Sequence, residues 1–391
     1  MGDLPFLPYG RQSIDDDDIA AVTEALRADY LTTGPRVEAF EAAFAEAVGA
    51  PHAVACSNGT AALHLSMLAL GVGEGDLCIV PSITFLATAN CARYVGADVV
   101  FADVDPLSGL MTPETLGEAL ARAAMTRPGR PVKAVLPVHL RGDVCDLPAL
   151  AELATEAGAV LVEDAPHALG SAMTFGNVTE RVGDARRSAM ATFSFHPVKT
   201  IATGEGGMIT TRDAATAQRL RTLRSHGMIR PEVGEPWWYE MAEPGFNYRL
   251  PDILCALGLS QLAKLPTFAS RRRTLSARYA ERLAGMTHVT LAASPAWSDP
   301  VLHLLTVLID FEAARVSRRA VSERLAAKGV GSQVHYIPVH RQPYYRDRYG
   351  ALDLPGAEAW YARCLSLPLY PAMADSDVDR VVEALAEALT P

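Results

Sequence analysis

The chain of 391 residues has no low-complexity tract, no stretch reaching the roughly 18 apolar residues of a membrane helix, and no close cysteine pair of metal-ligand spacing. A membrane-spanning protein and a cysteine-based metal site are therefore not expected. The six cysteines, Cys56, Cys78, Cys91, Cys145, Cys255 and Cys364, are widely scattered and fit reduced thiols in the cytoplasm. Positive charge is scarce: 35 Lys and Arg stand against 45 Asp and Glu, a net charge of -10. Phosphate-backbone binding requires a basic face, so this balance argues against nucleic acid as a partner. The one dense cationic run, RRR at 271–273, reads as a solvated helix face. The N-terminal MGDLPFLPYGRQSIDDDD lacks the basic segment and apolar run of a secretion signal, and Phe6 stands where myristoylation needs Ser or Thr. What is abundant is apolar residues, 49% of the chain, enough for a large core in a major domain with a smaller companion.

Short apolar runs alternate with helical patterns. Residues 52–56, 77–80, 99–105, 132–139, 159–162, 189–193 and 208–211 read as strands. Ile14 to Ala28 reads as an amphipathic helix with acids in its first turn, Ala61 to about Leu70 as a second and Pro113 to about Thr126 as a third. This alternation predicts an α/β fold with a parallel sheet.

The chemistry-bearing residues fall where these strands should end. Lys199 follows the strand-like AMATF and Pro197 and precedes the glycine-rich TGEGG. An amine held there can lose solvation, lower its pKa and attack a carbonyl carbon; the alternative is a lysine that snorkels from the rim of the core. Ser57-Asn58-Gly59-Thr60, between a strand and a helix, is either an anion site on free backbone N–H groups or an ordinary helix cap. Phe85 lies just past a strand end, able to stack on a planar ligand or to fill the core. Of the adjacent acids Glu163 and Asp164, strand alternation sends only one into a pocket. Asp164 is the candidate, with His167 beside it; buried near a heteroaromatic nitrogen it would keep that nitrogen protonated, and otherwise it caps a helix. Tyr30 and Thr32 sit on a loop that could grip a polar ligand or merely turn.

SNGTAALHL, PSITFLATAN, VEDAPHALGS, FSFHPVKTIATGEGGM and GFNYRLPDI resemble, in order and spacing, the motifs of the DegT/DnrJ/EryC1/StrS sugar aminotransferases, and the resemblance covers almost the whole chain. It implies the fold-type-I architecture of pyridoxal-phosphate (PLP) enzymes: a large domain with a mainly parallel central sheet, a smaller C-terminal α+β domain, and a homodimer with active sites at the interface. Residues 1–13 would form an N-terminal segment near the active site, 14–262 the PLP-binding domain and 263–391 the small domain. The same resemblance makes Lys199 the lysine that holds the cofactor covalently and Asp164 the partner of its ring nitrogen. Gly59, Thr60 and Ser194 would hold the phosphate, with Asn58 among the cofactor-binding residues. Phe85 would cover one face of the ring, His167 would lie close to the ring hydroxyl, and Asn247 would reach the phosphate from the other subunit. No metal is implied.

Further stretches, LPYGRQSIDDDDIAAV, DYLTTGP, LRSHGM, LGLSQLAKLP, QVHYIPVHRQPYY and SLPLYP, look like those of the pseudaminic acid branch of the family, which aminates carbon four of UDP-4-keto-6-deoxy-N-acetyl-altrosamine. By that resemblance Tyr9, Tyr30, Thr32, His335 and Tyr336, with Arg249 and His226, would contact the sugar nucleotide. Tyr336 and Tyr344 could instead pack the small domain. Arginines in RRSAM and LRGDV depart from the pattern, and Arg141 could alter the pocket floor. The implied reaction is a two-stage amine transfer from glutamate, with a perosamine- or bacillosamine-type ketosugar as an alternative acceptor. A related dehydratase would carry histidine in place of Lys199, and an idle PLP-binding regulator would carry an added DNA-binding segment that is not visible here.

Overall fold

The computed structural model describes residues 5–231 and 235–390. Met1-Gly2-Asp3 and the rest of the first four residues of the N-terminal segment lie outside the described residues. In chain order the strands are β1 (His52–Cys56), β2 (Leu77–Pro81), β3 (Asp98–Ala102), β4 (Val132–Val135), β5 (Val160–Asp164), β6 (Ala172–Phe175), β7 (Val178–Arg181), β8 (Met190–Ser194) and β9 (Gly207–Thr211). Seven of them build one sheet in the order β1-β9-β8-β5-β4-β2-β3. Every pairing from β3 across to β8 is parallel, whereas β9 runs antiparallel to both β8 and β1. Helices cover both faces, which is why β2 and β9 are buried at every residue and read as unbroken apolar runs. β6 and β7 form a separate hairpin extended by Ser298–Asp299.

Four helices matter for the site: α1 (Asp16–Arg27), α2 (Pro35–Val48), α3 (Gly59–Ala69) and α4 (Leu86–Tyr94). α1 starts two residues later than its apolar pattern suggests, because the Asp15 carboxylate accepts from Asp17 and Asp18 N–H and fixes the cap there. α3 starts two residues earlier, because the Asn58 side chain accepts the N–H of Ala61 at 2.8 Å. The helix expected at 113–126 forms over those bounds.

One apolar cluster fills both sides of the large sheet. A second joins Leu7 to residues between Leu275 and Ala388 and lies on a three-stranded antiparallel sheet of Val289–Leu291, Leu305–Ile309 and Cys364–Leu367. Between them, Val339, Tyr345 and Trp360 return to the first cluster, and the Trp360 indole donates to the His335 carbonyl at 2.9 Å. The segment carrying His335 and Tyr336 is thereby pressed onto the large sheet.

The arginine run needs correction. Arg271 and Arg273 ion-pair at the surface, but Arg272 is fully buried on the inner face of helix Leu265–Leu283. Its guanidinium donates to the carbonyls of Leu302, His303 and Leu369 at 3.0 to 3.2 Å, and burial lowers its pKa to about 10. A guanidinium with several backbone acceptors satisfies much of its hydrogen-bonding demand internally, which makes burial tolerable. Among the described residues no single helix is long and apolar enough to cross a membrane.

The loop carrying Tyr30 and Thr32 is held by one buried carboxylate. Asp252, first residue of helix Asp252–Ala263, accepts the N–H of Gly34 at 2.8 Å and of Arg36 at 3.0 Å. A Cβ on Gly34 would stand 2.4 Å from that of Tyr30, so only glycine permits this fit. Asp252→Ala orphans both donors and should cost about 2 kcal/mol, read as a lower urea midpoint with an unchanged slope.

Candidate active site

The C-terminal ends of β1, β2, β5 and β8 open on one cavity of about 910 Å³, the usual place for a ligand in an open α/β sheet. Beyond β1, the turn into α3 offers the backbone N–H groups of Gly59 and Thr60 without an acceptor among the described residues. A Cβ on Gly59 would come within 2.8 Å of the Ser194 Cβ, and one on Gly207 within 2.4 Å of the Asn58 carbonyl oxygen. The starts of α3 and β9 and the end of β8 are thus pressed together, bringing the Ser194 hydroxyl beside two free donors at the positive end of a helix. That is an anion cradle, and the capping reading of the same turn also holds, through Asn58.

Between Ser194 and Gly207 the chain loops out and back. Phe195 N–H donates to Gly206 at 2.8 Å, Thr203 N–H to Phe195 at 2.9 Å, and Lys199 N–H to His196 at 2.8 Å. The Phe195 ring lies 5.4 Å from Phe40 and 5.6 Å from Phe44, anchoring the loop in the core. Lys199 lines the cavity, half-buried. Desolvation lowers its amine to about 8, opposed by the negative charge of Asp164.

Asp164 ends β5, with its backbone tied to Pro137 and His139 at 2.9 and 3.1 Å. It is a strand end and not a helix cap. Its side chain enters the cavity and accepts from the Thr88 hydroxyl at 2.5 Å, while Thr84 and Thr88 share a hydrogen bond at 2.7 Å. Burial raises its pKa, against the opposing pull of Thr88 and Lys199. Glu163 points to the other face, where its carboxylate meets His139 Nε2 at 3.1 Å and accepts from Ser188 at 2.5 Å. Only one of the two acids reaches the cavity, as alternation requires. His167 Nε2 lies 3.2 Å from the Tyr336 hydroxyl, and Phe85, 57% exposed, stands at the rim with its ring 6.2 Å from that of Tyr336.

Tyr9, Asn58, Gly59, Thr60, Phe85, Asp164, His167, Ser194, Lys199, His335 and Tyr336 therefore share one cavity. Tyr30, Thr32, His226, Asn247 and Arg249 lie off it. The Asp252 anchor holds the first two on an exposed loop, and pairing of Ser225 with Asn247 holds the 225–227 turn against residues 245–247. Tyr30, Thr32, His226 and Arg249 thus do not line the cavity of their own chain, and Asn247, expected to act from the other subunit, lies off its own cavity as well. Tyr344 is also outside, its hydroxyl accepting from Arg93 at 3.3 Å. Nor does Arg141 form the pocket floor: its buried guanidinium turns away to Asp143 and the carbonyls of Ala292 and Ala293. Thr88, Tyr94, Tyr248 and Gln333 line the cavity without having been singled out. Only Thr88 left a signal, the Thr84/Thr88 spacing of four residues across a helix start.

The set fits pyridoxal phosphate: an anion cradle, a buried carboxylate in need of a positive partner, and an amine of lowered pKa. The DegT/DnrJ/EryC1/StrS aminotransferase family matches residues 12–386. The chain belongs to this family. Among solved structures, the aminotransferase is similar to DesI, determined in the presence of its TDP-sugar product (33% identity, TM-score 0.86, covering 99% of this chain and 94% of that one). It is also similar to PseC of Helicobacter pylori, an aminotransferase of pseudoaminic acid biosynthesis (27% identity, TM-score 0.89, 98% and 99% covered). A third is Spr1654 of Streptococcus pneumoniae, a candidate sugar aminotransferase, in its PLP-form (27% identity, TM-score 0.87, 99% and 98% covered). The fold is that of the fold-type-I aminotransferases, and the cofactor is PLP. The pseudaminic acid branch, by contrast, is not set apart from its relatives at these identities.

Two outcomes follow from this geometry. Thr88→Val removes the donor that favours ionised Asp164, so its carboxyl pKa rises further and PLP affinity falls, by roughly tenfold in a titration at neutral pH. In the cofactor-free enzyme only the neutral Lys199 amine is nucleophilic. The rate of PLP capture, trapped with borohydride, therefore rises with pH through about 8 and levels off above it.

Proposed function

We propose that this sugar aminotransferase moves an amino group from glutamate to the 4-keto carbon of a UDP-linked 4-keto-6-deoxy-N-acetylhexosamine, as in pseudaminic acid biosynthesis. The observation that carries amine transfer is the half-buried Lys199 amine, with a pKa near 8, facing the same cavity as the Asp164 carboxylate. Bound PLP supplies a carbonyl that exchanges for an amine and a ring that takes up electrons from the reacting carbon. Asp164 keeps the ring nitrogen protonated through charge pairing. Lys199 Nζ would serve as the base and then the acid that moves the donor's alpha-carbon proton. Gly59, Thr60 and Ser194 would hold the phosphate, and Phe85 would cover one face of the ring.

The sugar would lie against Tyr9, His335 and Tyr336 within the same cavity. His335 sits 5.4 Å from the Tyr9 ring and pairs through Nδ1 with Ser366 at 2.9 Å. Its pKa is pushed down to about 3 by burial, so it meets the sugar as a neutral group. Asn247, Tyr30, Thr32, Arg249 and His226, which do not line their own cavity, would act on that of a second copy in a homodimer. The division into domains at 14–262 and 263–391 is part of the same reading, as is a cytoplasmic location, in keeping with six buried free thiols. A second reading, another nucleotide-linked ketosugar, is favoured by the similarity to DesI and its TDP-sugar product.

A panel of UDP- and TDP-linked ketosugars assayed with glutamate distinguishes the two. The proposal requires glutamate to bleach the visible absorbance of the bound cofactor and the UDP-linked 4-ketosugar to restore it. Absence of bleaching with any amino donor would refute transamination, and restoration by TDP-sugars alone would refute the acceptor. Lys199→Ala should abolish transfer, and Asp164→Asn should slow both half-reactions by at least about a hundredfold, a loss of roughly 3 kcal/mol.

A further inference from the structure

Arg141 stands immediately behind His167. It occupies the left-handed region (φ 64°), followed by Gly142 at φ 114°. A side chain at Gly142 would put its Cβ 2.4 Å from the Val301 carbonyl oxygen. A non-glycine residue is strained in such a conformation and persists only where its surroundings hold it. Here they do so on three sides. The guanidinium is ion-paired with Asp143 and donates to the Ala293 and Ala292 carbonyls at 2.8 and 3.4 Å. The Arg141 carbonyl accepts the N–H of His303 at 2.6 Å and of Leu304 at 3.3 Å. The Arg141 N–H, left pointing at the site, donates to His167 Nδ1 at 3.3 Å.

A backbone N–H can only donate, so the nitrogen it meets must be bare. We propose that Arg141 is a positioning residue that holds His167 as the Nε2–H tautomer, so that His167 can only donate a hydrogen bond on its cavity side. Its acceptor in this structure is the Tyr336 oxygen, 3.2 Å away, which leaves the phenol's own O–H to be given to another group. His303 packs behind, its ring centroid 4.7 Å from that of His167, and keeps the ring plane fixed. Burial also lowers the His167 pKa well below the usual imidazole range, with help from the charge on Lys199 and from His335, so the ring stays neutral. On the reading that His167 lies by the ring hydroxyl of PLP, an Nε2–H at that place stabilises the ionised ring oxygen, and Arg141 thereby influences the cofactor without touching it.

The direct measurement is a multiple-bond proton–nitrogen correlation spectrum of the full chain labelled with nitrogen-15 histidine, with and without PLP, assigned by loss of signals in His167→Gln. The expected pattern is a protonated Nε2 and a bare Nδ1 in both states. An Nδ1–H tautomer or an imidazolium in the wild type overturns the proposal, whether or not the enzyme transfers amines. Arg141→Gly relieves the backbone strain but removes the guanidinium clamp. It should give His167 nitrogens averaged between tautomers, about tenfold weaker PLP binding, and a higher pH for the absorbance transition of the bound cofactor. His167→Gln, which keeps an N–H donor at the same end, should retain the wild-type transition. Unchanged His167 signals together with an unchanged cofactor transition in Arg141→Gly would overturn the positioning role.

Discussion

The site depends on removing water from one amine and one carboxylate that share a cavity. Lys199 and Asp164 are each shifted by desolvation toward the neutral form, and each opposes the shift in the other. In bulk water these would be ordinary ionised groups, unreactive as a nucleophile and weak as a partner for a ring nitrogen. Their arrangement at the carboxyl ends of neighbouring parallel strands makes them useful, and most of the local structure serves to hold it. The 195–206 loop is tied at both ends by backbone hydrogen bonds and anchored through Phe195, while Asp164 is tied by its backbone to residues 137–139.

Polar residues that support the reacting groups matter as much as those groups themselves. Thr88 supplies a side-chain hydrogen bond that favours ionised Asp164, and its hydroxyl is ordered by Thr84. Glu163, one residue away on the opposite face, is satisfied by His139 and Ser188. A buried carboxylate without such partners would be costly, so adjacent acids on opposite faces of β5 require two separate polar networks. Arg141 and Arg272 extend the pattern toward the small sheet. Arg141 spends much of its guanidinium on the carbonyls of residues 292–293 and on Asp143, and Arg272 on the carbonyls of 302, 303 and 369; these contacts join the segment around His303 to the rest of the molecule.

Membership of the sugar aminotransferase family gives the reaction class and the cofactor but leaves the acceptor to pocket shape. The cavity wall formed by Tyr9, His335 and Tyr336 belongs to the chain's own N-terminal and C-terminal segments, brought together by the bridge from Leu7 to Val330 and the pressing of residues 335–360 onto the sheet. Such a wall is assembled from distant parts of the chain, so its shape depends on how both segments are placed, whereas Lys199 is held by its own loop.

The strands, most of the helices and the identity of the reacting groups were legible in the sequence because they are local: alternation, apolar runs and glycine-rich turns act over a few residues. Lys199, Asp164 and the Gly59-Thr60 turn could be singled out for that reason, and ordered motifs joined them into one site. Tertiary structure decided what depends on contacts far apart in the chain. It showed that β9 runs antiparallel, that Arg272 is a buried staple while its neighbours are solvated, and that Thr88 bonds Asp164 across 76 positions. It also left Tyr30, Thr32 and Asn247 outside the lining of their own cavity, since where a loop is anchored depends on distant partners such as Asp252 that no local pattern contains. Residue type set which chemistry was available; the enclosing fold set the charge state, orientation and company in which it operates.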